Sequence, residues 1–146
     1  MRKEQLQRFP PECMLELISG AVITLGLYLM FWRRKNTRVI NEFLPDHAIR
    51  TDRWFYTCLC LEVASISISF TNIAHLHPMI GYLQTSIKYL SLLLRLIWNL
   101  KLRNRINLIL GAERKTLSWF SALWVCVFGA FYLQYKLNFL KKAGGD

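Results

Sequence analysis

LISGAVITLGLYLMFW, Leu17 to Trp32, is a 16-residue run without a charge, and LSWFSALWVCVFGAFYLQY, Leu117 to Tyr135, is one of 19. A helix rises about 1.5 Å per residue, so roughly 20 apolar residues cross a hydrocarbon core of about 30 Å. The second run has that length and the first approaches it. Two weaker blocks lie between them: Trp54 to Ala74, interrupted by Glu62, and Met79 to Leu100, interrupted by Lys88 and Arg95. The helices of a soluble bundle carry a polar stripe at helical period, and Leu117 to Tyr135 carries almost none. The expectation is therefore an all-α integral membrane protein with four transmembrane helices. Aromatics near the block ends, Tyr28, Phe31, Trp32, Trp54, Phe55, Trp98, Trp119 and Tyr135, fit interfacial belts.

The whole chain is 146 residues, 53% of them hydrophobic, which suits a single domain and excludes a large multidomain enzyme. Lys and Arg number 19 against 9 Asp and Glu, a formal net charge of +10. These charges flank the apolar blocks, where anionic headgroups attract them, and no nucleic-acid-binding motif accompanies them. Arg33–Arg53 carries Arg33, Arg34, Lys35, Arg38, Arg50 and Arg53, and the later connection carries Lys101, Arg103, Arg105, Arg114 and Lys115. The positive-inside rule then places both connections in the cytoplasm and both termini outside. FWRRK (Phe31 to Lys35) follows the first run where a cleavage site would stand, so that run reads as retained and not as a signal peptide.

An internal repeat organises the chain. WRRKNTRVINEFL (Trp32 to Leu44) and WNLKLRNRINLIL (Trp98 to Leu110) share Trp32/Trp98, Lys35/Lys101, Ile40/Ile106, Asn41/Asn107 and Leu44/Leu110 at an offset of 66. TDRWF (Thr51 to Phe55) matches TLSWF (Thr116 to Phe120) at 65. Repeat one then covers about 11–74 and repeat two about 78–140, two tandem parallel hairpins within one membrane domain. Val39, Ile40, Phe43 and Leu44 share a helical face, as do Leu102, Ile106, Ile109 and Leu110. These basic amphipathic segments either lie in the headgroup region or prolong the preceding helix. Leu44-Pro45-Asp46 and Leu110-Gly111 supply stops, and Thr51 and Thr116 are N-cap candidates. Asn41 and Asn107 could bond backbone or headgroups.

Charges within apolar blocks are functional candidates by default. Glu62 and Lys88 lie at similar depths from one face, and an ion pair between them, with Arg95 within reach of Glu62, is expected to neutralise both and fix helix register. Arg33, Arg34, Lys35, Arg38, Lys101, Arg103 and Arg105 are expected to contact lipid headgroups. Ser65, Ser69 and Asn72 share one face, suited to helix packing. Cys13, Cys58, Cys60 and Cys126 form no CxxC pair, and His75-x-His77 lacks a third ligand, so no metal site is expected. No hydrolase, P-loop, dinucleotide or zincin motif occurs, which points to no enzyme and no cofactor.

ITLGLYLMFWRRKNTRVIN (Ile23 to Asn41) and YLQYKLN (Tyr132 to Asn138) resemble a family of small bacterial multi-pass inner-membrane proteins of unknown function. The shared features are a T-L-G-x-Y-x-x-x-W opening and an aromatic-x-Q-x-x-x-N exit. The resemblance implies a bacterial cytoplasmic membrane location and a helical multi-pass fold; it implies no activity. The expected function is a non-catalytic small membrane subunit or scaffold of a larger membrane protein assembly, its partners being anionic lipid headgroups and other integral membrane subunits. The alternative is a small oligomeric transporter or channel using Glu62 and Lys88.

Overall fold

Thr24-Leu25-Gly26 divides the first apolar run. Leu25 has φ 52° and Gly26 φ 92°, successive left-handed residues through which no right-handed helix continues. In this computed structural model, which describes residues 7–9, 12–44, 49, 51–70, 78–114 and 116–143, the run forms the end of one helix and the start of another. They are α1 (Met14–Ile23) and α2 (Leu27–Phe43). Thr24 latches the turn on both sides: its hydroxyl donates to the Gly20 carbonyl at 2.6 Å and accepts from the Tyr28 N–H at 2.8 Å. The Gly26 N–H closes the end of α1 on the Ala21 carbonyl at 2.7 Å.

The consequence is a helical hairpin. The Glu12 carboxylate, just ahead of α1, meets Lys35 Nζ on α2 at 3.2 Å. An unbroken helix would hold residues that far apart in sequence about 35 Å from one another. Gly20 permits the close approach, because a Cβ there would stand 2.8 Å from the Tyr28 ring.

Three longer helices follow: α3 (Thr51–Phe70), α4 (Pro78–Ile109) and α5 (Ala122–Ala143). No strand occurs among the described residues. At 32 residues α4 is unbroken, about 48 Å long, and it packs against α2, α3 and α5. It stops at Gly111, whose φ of 55° suits glycine, with the Ala112 N–H bonded to the Asn107 carbonyl at 2.9 Å. α5 kinks at Gly129, where φ is 55° and ψ −127°. The Asn99 amide of α4 would lie 3.0 Å from a Cβ at that position.

Among the described residues, no helix is long and apolar enough to cross a membrane. This corrects the expected four-span integral membrane fold, the multi-pass inner-membrane location and the topology built on them. The 10 residues of α1 extend about 15 Å, half of a hydrocarbon core. α2 carries its apolar start directly into Arg33, Arg34, Lys35 and Arg38. Of the run from Leu117 to Tyr135, the first five residues precede α5, and the helix continues into Lys136, Lys141 and Lys142. The basic amphipathic stretches are continuations of α2 and α4, not separate connections.

The aromatic belt is corrected too. Trp32 is 2% exposed and Trp98 fully buried, both in the core with Phe55, Phe120, Leu102, Ile106, Leu133 and Leu137. Each buried indole removes roughly 150–250 Å² from water, an upper bound of about 4–6 kcal/mol. Both N–H groups are satisfied: Trp32 Nε1 donates to Gln134 Oε1 and Trp98 Nε1 to Thr37 Oγ1, each at 3.0 Å. α3 begins at Thr51 itself, and α5 begins six residues beyond Thr116, whose hydroxyl instead donates to Glu113 at 2.7 Å. Arg50, Pro45-Asp46, Asn72, the His75-x-His77 pair and Lys115 lie outside the described residues, as does the side chain of Ser69.

Candidate functional site

Glu62 sits on the buried face of α3, 5% exposed, and opposite it on α4 stand Ser91 and Arg95, one turn apart. Glu62 forms an ion pair with Arg95 and accepts a hydrogen bond from the Ser91 hydroxyl at 2.7 Å. Lys88, the expected partner, is exposed. Arg95 takes the carboxylate because it stands level with Glu62, one turn from Ser91, whereas Lys88, on the same face of α4, lies two turns, about 10 Å, further along the helix.

A second guanidinium lies alongside. The sequence places Arg33 of α2 at a headgroup, but it is 4% exposed. Its Nε donates to Asn99 Oδ1 at 2.8 Å and its Nη1 approaches Met30 Sδ at 3.7 Å. Burial, with the Arg95 charge beside it, pushes the Arg33 guanidinium down to about 10. Burial lowers Arg95 as well and raises the neighbouring Cys58 thiol. Among the described residues no carboxylate lies within 4.0 Å of Arg33. One buried carboxylate thus serves a pocket with two arginines, an arrangement that ties α2, α3 and α4 together but leaves positive charge in excess.

The remaining expected headgroup cations have local partners. Arg34 binds Asp52 at 2.7 Å and lies 4.5 Å from the Phe55 ring; Lys35 binds Glu12, and Arg38 reaches Asp52 at 3.8 Å. Arg103 donates to the Phe120 carbonyl at 2.6 Å and covers the Trp119 ring at 4.8 Å. Lys101 lies 4.3 Å from the Trp54 ring, and with Arg53, Arg105, Thr57, Leu94 and Ile49 these two residues line a cavity of about 450 Å³ between α3 and α4.

Asn41 and Asn107 perform one task at two places. Asn41 exchanges two hydrogen bonds with the backbone of Ile49, at 2.8 and 2.9 Å, and Ile49 stands two residues before α3. Asn107 does the same to Phe120, at 3.1 and 2.8 Å, two residues before α5. Each asparagine aims the incoming helix by holding the backbone ahead of it.

The stretches Ile23 to Asn41 and Tyr132 to Asn138 also meet. Gln134 accepts from Trp32, donates to Asn138 at 3.0 Å and, with Asn138, holds the Glu12 carbonyl at 3.2 and 2.9 Å. Lys141 binds the Phe9 carbonyl at 2.6 Å. A strap ahead of α1 is thereby fastened along α5. Sequence reasoning misses the Arg33–Asn99 bond and the kink at Gly129, although Arg33 and Asn99 stand one repeat offset apart. Family models, curated proteins and solved structures give no match to this chain.

Proposed function

We propose that this chain is a non-catalytic helical subunit, or scaffold, of a larger protein assembly, covered in place by apolar helices of its partners. The observation that supports this reading is a broad apolar surface. On α4, Tyr82, Leu83, Leu90 and Leu93 are 47–74% exposed, and on α5 Trp124 and Phe128 are 48% and 50% exposed. Exposed apolar stripes of this extent mark interaction surfaces. At about 100° per residue the four α4 side chains share one face, which suits the ridges of another helix. The interior, by contrast, is committed to structure: Glu62, Ser91, Asn99, Gln134 and both tryptophans bind one another or their neighbours in the core. The channel alternative draws no support from its pair, because Glu62 is held by Arg95 and Ser91 while Lys88 is exposed.

Purification at native expression in a mild detergent, followed by mass-spectrometric identification, tests the proposal. A partner at fixed stoichiometry with a helical apolar face is the expected result. A 17.2 kDa chain emerging alone from every mild condition contradicts it.

A further inference from the structure

The cavity between α3 and α4 is lined by Arg53 from α3 and by Lys101 and Arg105, one turn apart on α4, and Arg53 and Lys101 form no ion pair with a carboxylate among the described residues. Asp52, next to Arg53 in sequence, is engaged by Arg34 and Arg38. The Lys101 ammonium rests 4.3 Å from the Trp54 ring, attracted by the ring's quadrupole. Like charges gathered in one concavity repel each other, and an anion entering among them is bound by the charge it relieves. The rest of the lining is of another kind: Trp54, Leu94 and Ile49 form an apolar wall. At about 450 Å³ the space falls in the range of small-molecule sites, far larger than a bare phosphate needs.

We propose that this cavity binds a phosphate group carried on an apolar chain, the chemistry of an anionic phospholipid. Arg53 and Lys101 hold the phosphate, and Trp54 and Leu94 lie against the chain. The site belongs to the single chain, so it stands apart from the assembly reading. A missing partner leaves it intact, and loss of lipid preference leaves the assembly intact.

The test uses the full chain in neutral detergent, with bound lipid counted by native mass spectrometry. Phosphatidic acid is expected to be retained about tenfold over phosphatidylcholine. Arg53→Gln with Lys101→Gln should abolish that preference, while Lys88→Gln, removing an exposed cation of α4 outside the cavity, should preserve it. Circular dichroism reports whether each variant is folded. Should the double variant fail to fold, Arg53→Gln alone, at an exposed position, is expected to lower the preference about threefold. A folded Arg53→Gln or double variant with undiminished preference overturns the proposal. Inorganic phosphate displacing phosphatidic acid at equal concentration overturns it also, since the site would then take a free anion and ignore the chain.

Discussion

Residues 14–43 and 80–109 occupy matching places 66 residues apart, yet the first folds as a hairpin and the second as one straight stretch of α4. At the middle of each stretch stand Leu25-Gly26 and Ser91-Leu92. Leu25 is 63% exposed in a left-handed turn, whereas Ser91 is 1% exposed, helical and bonded to Glu62. One position holds a glycine turn latched by Thr24; the other holds a buried polar contact with α3. Two stretches with similar hydropathy thus part company over a few residues. Hydropathy sums transfer energies, while the path of the backbone depends on individual φ values and on what each side chain can bond.

The contrast breaks most severely at Glu62, which ties α3 to Ser91 and Arg95 of α4. Glu62→Leu leaves Arg95 partly buried beside Arg33 without a carboxylate, and a loss of about 3 kcal/mol is expected in chemical denaturation. Glu62→Leu with Arg95→Leu should recover most of it. If the single change is neutral, the pocket does not organise α4.

Gly20→Ala attacks the hairpin from the other side. A methyl 2.8 Å from the Tyr28 ring forces α1 away from α2 at a cost of about 2 kcal/mol. The matching position of α4 is Ser86, exposed and bonded to the Tyr82 carbonyl of its own helix. Ser86→Ala should therefore move the melting midpoint far less.

Asn107→Ala and Asn41→Ala compare the two clamps. Each change deletes two hydrogen bonds to backbone, and about 1–2 kcal/mol is expected at either place. Asn107 should lie at the upper end, because Phe120 is fully buried and its N–H would be left without a partner. Equal melting shifts would show that burial does not grade the two.

The smallest effects lie at the turn itself. Gly26→Ala places a side chain at φ 92°, with little around it, so backbone strain of about 1 kcal/mol is the whole expected cost. Leu92→Gly, the matching change in α4, should cost about 0.5–1 kcal/mol through helix propensity. Differential scanning calorimetry of both variants resolves the order.

Helix positions are largely legible in the sequence, since the amphipathic periodicity of Val39–Leu44 and Leu102–Leu110 and the stop at Gly111 stand in the chain itself. The membrane reading fails because an uncharged run says nothing about whether one helix occupies it; Leu25-Gly26 and Gly129 do. Glu62 and Arg95 are legible as charges within apolar blocks, but the choice of Arg95 over Lys88, two turns apart on one face of α4, depends on how α4 is set lengthwise against α3. Arg33 reads as a surface cation among three neighbours of the same charge, and only tertiary packing distinguishes it. The cavity at Trp54 joins residues about 50 apart in sequence, Arg53 and Arg105 among them, which no local pattern brings together.

The division of the first run is tested most directly by distances between spin labels. In a background without the four native cysteines, labels at Glu16 and Arg38 probe the hairpin and labels at Tyr82 and Asn104 probe the matching interval of α4, all four positions being exposed. The α4 pair should lie about 33 Å apart, the rise of 22 residues of helix. The Glu16–Arg38 pair should fall below about 20 Å, because antiparallel neighbouring helices pack roughly 8–10 Å apart. Two equal distances near 33 Å would mean that Leu17 to Trp32 forms one continuous helix and that the hairpin does not exist.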